Sequence, residues 1–160
     1  MKQKSYRVLS MIGLALMILL SFSIMTEAAK SSFEYGAKTS PPEEMGIQGM
    51  FDPDHKYLLD GTNLISKYDS DTIRLEGITY AKEVVESIGM TLYLQKWDGS
   101  SWENVGSGST YYVSNRDVYD KTIYRSAESG YYYRVKTIHW ISNDDTYEQG
   151  ERVSDYILMK

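Results

Sequence analysis

Apolar and polar residues alternate along most of the chain after residue 60. Ile88, Met90, Leu92 and Leu94 fall on one side of a line, and Gly89, Thr91, Tyr93 and Gln95 on the other. Period-two alternation marks a strand with one face in the core. Tyr131, Tyr133, Val135, Thr137, His139 and Ile141 share a second such face. Tyr132, Arg134, Lys136, Ile138 and Trp140 share its reverse, where cations mix with large rings. The first set is the core candidate and the second the solvent candidate. Shorter strands are expected at 63–68, 72–77, 110–113, 118–125 and 153–159. The stretch Ala81–Glu86 fits either a helical turn or strand and bend.

Turn chemistry separates these runs. Trp97-Asp98-Gly99-Ser100-Ser101-Trp102 carries the strongest signal, because Asp-Gly favours a hairpin turn and glycine takes positive φ without a Cβ penalty. Its two indoles are expected near one another across the hairpin. Residues 115–117 and 142–145 read as turns, and 147–150 as a polar connection. About seven short strands, with no confident helix and no βαβ alternation, predict an all-β fold, an immunoglobulin-like or similar antiparallel β-sandwich. A barrel is the nearest competitor.

The N-terminus has a different pattern. Lys2, Lys4 and Arg7 precede an apolar run from Val8 to Met25, and small residues at Thr26 and Ala28 suit cleavage after Ala28 or Ala29. This predicts a secretory signal peptide over 1–29. An uncleaved anchor is the alternative, since the run is about the shortest that can span a bilayer. Residues 30–54, with Pro41-Pro42 and Asp52-Pro53-Asp54, read as a flexible N-terminal arm. The alternative for the arm is a segment that docks on a partner or adds an edge strand. The β domain is expected over 55–160.

Composition narrows the chemistry. The net charge of the 160-residue chain is −5. Removing 1–29 leaves −7 on 131 residues, which disfavours nucleic acid and anionic membranes as partners. With no cysteine, disulfides, thiolate metal sites and a cysteine nucleophile are excluded. Of the two histidines, His139 reads as a packed core residue. His55, between Asp54 and Lys56 and close to Asp52, reads as part of a polar loop. No serine sits in a nucleophile elbow. Asp52-Pro53-Asp54 and Asn143-Asp144-Asp145 lack calcium-loop spacing. No cofactor and no metal are expected, and an enzyme is disfavoured.

Tyrosine is the remaining feature: 15 residues against 3 phenylalanines. A tyrosine offers a ring for stacking and a hydroxyl for a wet interface, although cross-strand aromatic pairing would also use such rings. The candidate binding surface is Trp97, Trp102, Tyr132, Arg134 and Trp140. The expected partner is a cell-envelope polysaccharide or a protein. A small secreted hydrolase or carbohydrate-active protein, and a self-associating surface or matrix protein, are the alternatives.

The blocks Leu92-Tyr-Leu-Gln95-Lys-Trp97-Asp-Gly-Ser-Ser-Trp102 and Gly130-Tyr-Tyr-Tyr133-Arg134-Val-Lys136, with His139 and the N-terminal signal, resemble a group of small uncharacterised secreted proteins of Firmicutes, Bacillus-like and Clostridium-like. The likeness covers roughly residues 59–159. It implies an extracellular bacterial setting and an all-β domain, and it brings no activity and no catalytic residue.

Overall fold

A computed structural model gives the structure of the chain and describes residues 34–43 and 48–160. The expected signal peptide lies outside the described residues. Those that are described belong to one compact unit, residues 31–160.

The fold is all-β, with no helix among the described residues. Its strands are β1(Gln48–Met50), β2(Leu58–Lys67), β3(Thr72–Trp97), β4(Trp102–Asn104), β5(Ser109–Ser126), β6(Tyr132–Asn143) and β7(Thr146–Leu158). All pair antiparallel in one sheet of order β1-β7-β6-β3-β2, with β4 and β5 also paired to β3.

Strand β3 is the spine. Its first half lies between β2 and β5, and its second half between β6 on one side and β5 and β4 on the other. Between the halves the register to β5 slips, since Tyr80 faces Val118 but Val85 faces Arg116. Extra residues on one strand of a pair bend it and increase its twist. Asn115, two positions from this slip, takes φ 55°. The sheet curls at this bend, and β2 comes over β6 and β7. The Asn63 amide donates to Val135 O (3.3 Å), Thr137 Oγ1 (3.0 Å) and Arg152 O (2.8 Å) across the gap.

The expectation of short strands is corrected here. Residues 72–97 form one strand of 26 residues and 109–126 one of 18. Of the two readings of Ala81–Glu86, strand and bend holds and the helical turn does not, and this stretch and the expected turn at 115–117 are the two sides of a single bulged bend. The polar stretch 147–150 is strand, because only one face of β7 packs inward. A β-bulge and a turn draw on the same residues, so sequence pattern alone does not separate them.

The alternating runs do form the core. Ile88, Met90, Leu92 and Leu94 are buried, as are Tyr133, Val135, Thr137, His139 and Ile141. Between the two halves of β3, Ile73, Leu75, Met90, Leu92, Ile123, Val135 and Met159 make the larger cluster. Tyr57, Leu58, Val85, Ile88 and Ile141 make the second cluster, beside the bend. Each fully buried aliphatic side chain contributes about 1.5–3 kcal/mol by leaving water.

The described parts of the arm belong to the fold. Strand β1 pairs Gln48, Gly49 and Met50 with Val153, Arg152 and Glu151 of β7. Residues 34–43 form a strap, anchored where Lys38 N donates to Gly130 O (2.7 Å) and where Lys38 meets Glu128 (2.7 Å) and Glu34 meets Lys160 (2.6 Å).

Glu148 holds the start of β2 against β7. Its carboxylate accepts from the backbone N–H groups of Lys56 (2.5 Å), Tyr57 (2.9 Å) and Leu58 (2.7 Å). Burial opposes the charge, yet the three donors together hold the carboxyl below its usual range. Glu148→Ala leaves three N–H groups without this acceptor and is expected to cost about 2 kcal/mol of unfolding free energy. Urea denaturation at pH 7 measures it, and a loss under about 0.5 kcal/mol would remove Glu148 from this role.

Candidate functional site

The outer face of the second half of the sheet is built by alternation. Because β3 and β6 turn Met90, Leu92, Val135 and His139 inward, Thr91, Tyr93, Arg134, Lys136, Ile138 and Trp140 must point outward. Register then adds neighbours from β4, β5 and β7. Gly89 faces Tyr112 on one side and Trp140 on the other. Without a side chain at Gly89 these rings close over its Cα, where a Cβ would sit 2.6 Å from the Trp140 ring. Tyr112 and Trp140 lie 5.9 Å apart by centroid, and Tyr147 stacks on Trp140 at 6.1 Å and 25°. Tyr112 and Tyr147 are 63% and 59% exposed. A shallow cleft of about 440 Å³ runs from this group over Thr91, Tyr93 and Ile138.

Further along the strands, Lys136 Nζ lies over the Tyr93 ring at 5.3 Å. Arg134 then lies over Trp102 at 4.4 Å, with its Nε donating to Gln95 Oε1 (2.8 Å). Trp102 meets Tyr156 at 6.2 Å and Trp97 at 5.4 Å. Trp97 and Trp102 are register partners closing the expected hairpin, in which Gly99 takes φ 110°. The turn is tied by Asp98, whose Oδ1 accepts from the N–H groups of Ser100 (2.7 Å) and Ser101 (2.8 Å). Those two donors, Ser101 first, lower its pKa to about 2. From Trp140 to Arg134 is six residues of strand, so the row of rings and cations spans about 20 Å.

Of the five residues expected to form a binding surface, Trp97, Trp102 and Arg134 come together at one end and Trp140 stands at the other. Tyr132 is corrected: it is 1% exposed and cannot contact a partner. It projects from the outer face, as alternation requires, but Tyr156 packs edge-on against it at 5.5 Å and the strap passes beside it. Burial, and secondarily the Glu34 carboxylate, raise its hydroxyl pKa. Alternation assigns a residue to a face, and the cover over that face comes from Tyr156 on β7 and from the strap about a hundred positions earlier. Tyr112, Tyr147 and Tyr156 were missed as site residues. The excess of tyrosine over phenylalanine was their only signal, and their cross-strand partners are set by register.

His139 takes the packed core place expected of it. His139 is 0% exposed. Its Nδ1 lies 2.8 Å from Thr79 Oγ1, and that hydroxyl donates to Gly89 O (3.1 Å). The hydroxyl therefore accepts from Nδ1–H, which places a proton on Nδ1. Burial lowers the His139 pKa to about 4, helped by Arg152. Asp52 caps its own turn, accepting from Asp54 N (2.9 Å). Asn143 Oδ1 accepts from Glu86 N (3.0 Å). Among the described residues no three His, Asp or Glu side chains gather as metal ligands.

The geometry is thus that of an open surface lined by rings and two cations. No protein-family model matches the chain, and no curated protein sequence matches it.

Proposed function

We propose that this is a secreted, non-enzymatic binding protein whose outer aromatic row takes an extended polysaccharide of the bacterial cell envelope. The observation that carries the reading is the row itself: Tyr112, Trp140 and Tyr147 at one end, Tyr93 with Lys136 between, and Trp102 with Arg134 and Tyr156 at the other. Half-exposed rings along one strand direction suit a polymer lying across several of them, because each ring stacks on an apolar ring face and each cation serves polar or anionic substituents. A single deep apolar pocket would suit a compact ligand instead. The N-terminal signal pattern and the resemblance noted above support the extracellular bacterial setting. A sandwich-like description of the domain is proposed on the same footing, supported by the side-chain bonds from β2 to β6 and β7 across the core.

Co-sedimentation with purified cell walls, and with polysaccharide released from them, tests the reading. Trp102→Ala and Trp140→Ala are each expected to weaken binding about tenfold, since central aromatic anchors carry most of the energy at such surfaces. Binding unchanged in both variants, or absent in the unmodified chain, would overturn it. Concentration-dependent association of the protein alone, lost in the same variants, would favour self-assembly instead.

A further inference from the structure

The end of the row nearest the hairpin holds a second feature. A cleft of about 600 Å³ lies between the hairpin and the strap, lined by Ser40, Pro41, Pro42, Trp97, Trp102 and the turn between the two indoles. The Trp97 indole N–H donates to Ser40 O (3.0 Å). That carbonyl immediately precedes two of the three prolines in the chain. Pro42 is buried and Pro41 half-buried.

This arrangement has a clear chemistry. A residue before proline is held extended, and consecutive prolines prefer the polyproline II helix, whose carbonyls have no internal donors. Such a segment loses little entropy on docking. It is recognised by rings that pack on the pyrrolidines and by a donor aimed at an exposed carbonyl. Trp97 and Trp102 supply rings and Trp97 supplies the donor. The rest of the strap is held by one backbone bond, by Lys38 over the Tyr131 ring at 4.8 Å, and by ion pairs between side chains that are about half exposed. Exposed pairs of this kind hold weakly and are screened by salt.

We propose that the Trp97–Trp102 face of the hairpin is a binding site for extended, proline-rich peptide, and that the chain's own Ser40-Pro41-Pro42, which forms the other wall of the cleft, is its resident occupant. The site is distinct in ligand class from the polysaccharide row and goes beyond that reading. A partner carrying a Ser-Pro-Pro-like segment displaces the strap and takes the same carbonyl-to-indole bond. Because the resident segment is tethered, it competes at an effective concentration on the order of millimolar. Peptide in trans therefore binds the unmodified chain weakly and a chain with a disabled strap strongly.

The probe is a labelled synthetic peptide, Lys-Thr-Ser-Pro-Pro-Glu, with an alanine-for-proline peptide as control, followed by fluorescence anisotropy. The Pro41→Ala/Pro42→Ala chain is expected to bind the proline peptide at least tenfold more tightly than the unmodified chain does. Adding Trp97→Phe, which keeps a ring and removes the donor, is expected to weaken binding about fivefold. No saturable binding to the strap variant, equal binding of the alanine peptide, or no effect of Trp97→Phe would each overturn the proposal. Should the strap variant lose its near-ultraviolet dichroism, the unmodified chain titrated to about ten millimolar peptide decides. Saturation by the proline peptide alone supports the site, and its absence refutes it.

Discussion

Gly61→Ala is expected to lower the unfolding free energy by about 3 kcal/mol, although one methyl group is the whole change. Gly61 sits in β2 directly over the His139 ring. A Cβ there would lie 2.3 Å from His139 Cγ and 2.5 Å from Nδ1, well inside contact distance. The ring cannot give way. It is fully buried, bonded through Nδ1 to Thr79 and packed at 5.8 Å on Phe51. Nor can β2 lift freely, because Gly61 O accepts from Arg152 Nε (2.9 Å) and Arg152 is paired to Asp60 at 2.6 Å. In an unconstrained strand the same change would stabilise slightly, since glycine loses more backbone freedom than alanine. Thermal denaturation reads the effect as a fall on the order of 10 °C. The double-mutant cycle isolates it: in a His139→Ala background Gly61→Ala should cost almost nothing, because the ring it strikes is gone. An equal cost in both backgrounds would show that the strain lies elsewhere.

His139 also makes stability depend on pH. Its folded pKa is lowered from 6.5 to about 4, first by burial and then by Arg152, with Asp60 opposing. The unfolded chain therefore takes up the proton first as pH falls. The contribution is complete above about pH 7, decreases as pH drops through 6.5, and is gone below the folded value. Linkage gives a loss of about 2 kcal/mol between pH 7 and pH 5, and about 3 kcal/mol by pH 4. Glu148, whose carboxyl is held below its ordinary value of 4.5, adds its own loss only at lower pH. The interval from 7 to 5 thus reports chiefly on the imidazole. Urea midpoints across that interval should fall in the unmodified chain and stay nearly level in His139→Gln. A level profile in both would place the ring in contact with water.

The parts of this fold that were legible in the sequence are those governed by a period of two. Ile88 to Leu94 and Tyr133 to Ile141 alternate because each strand buries one face, and both runs are buried as their spacing requires. The Asp98-Gly99 turn was legible because it needs a positive φ, and Gly99 supplies it. The bend that shapes the sheet was legible only as one of two alternatives at Ala81–Glu86. Ala81–Glu86 carries no breaker, and its geometry comes from the mismatch between β3 and β5, a relation between two strands rather than a property of either. Half of the candidate site shares this limit. Trp97 and Trp102 are five residues apart and were found together. Tyr112 and Tyr147 reach Trp140 only through register. Tyr132 failed for a related reason: its face was right, but Tyr156 and the strap cover it.

The row of outward rings is the feature on which the functional account stands, and its three tryptophans report on it directly. Trp102 and Trp140 lie at opposite ends, about 20 Å apart along the strands. The decisive measurement is a titration of the isotopically labelled protein with oligosaccharide fragments of purified cell wall, following the indole N–H resonances. A ligand lying along the row predicts that the Trp102 and Trp140 signals shift together and saturate with one dissociation constant. Neither signal moving, or one moving alone, would contradict the account.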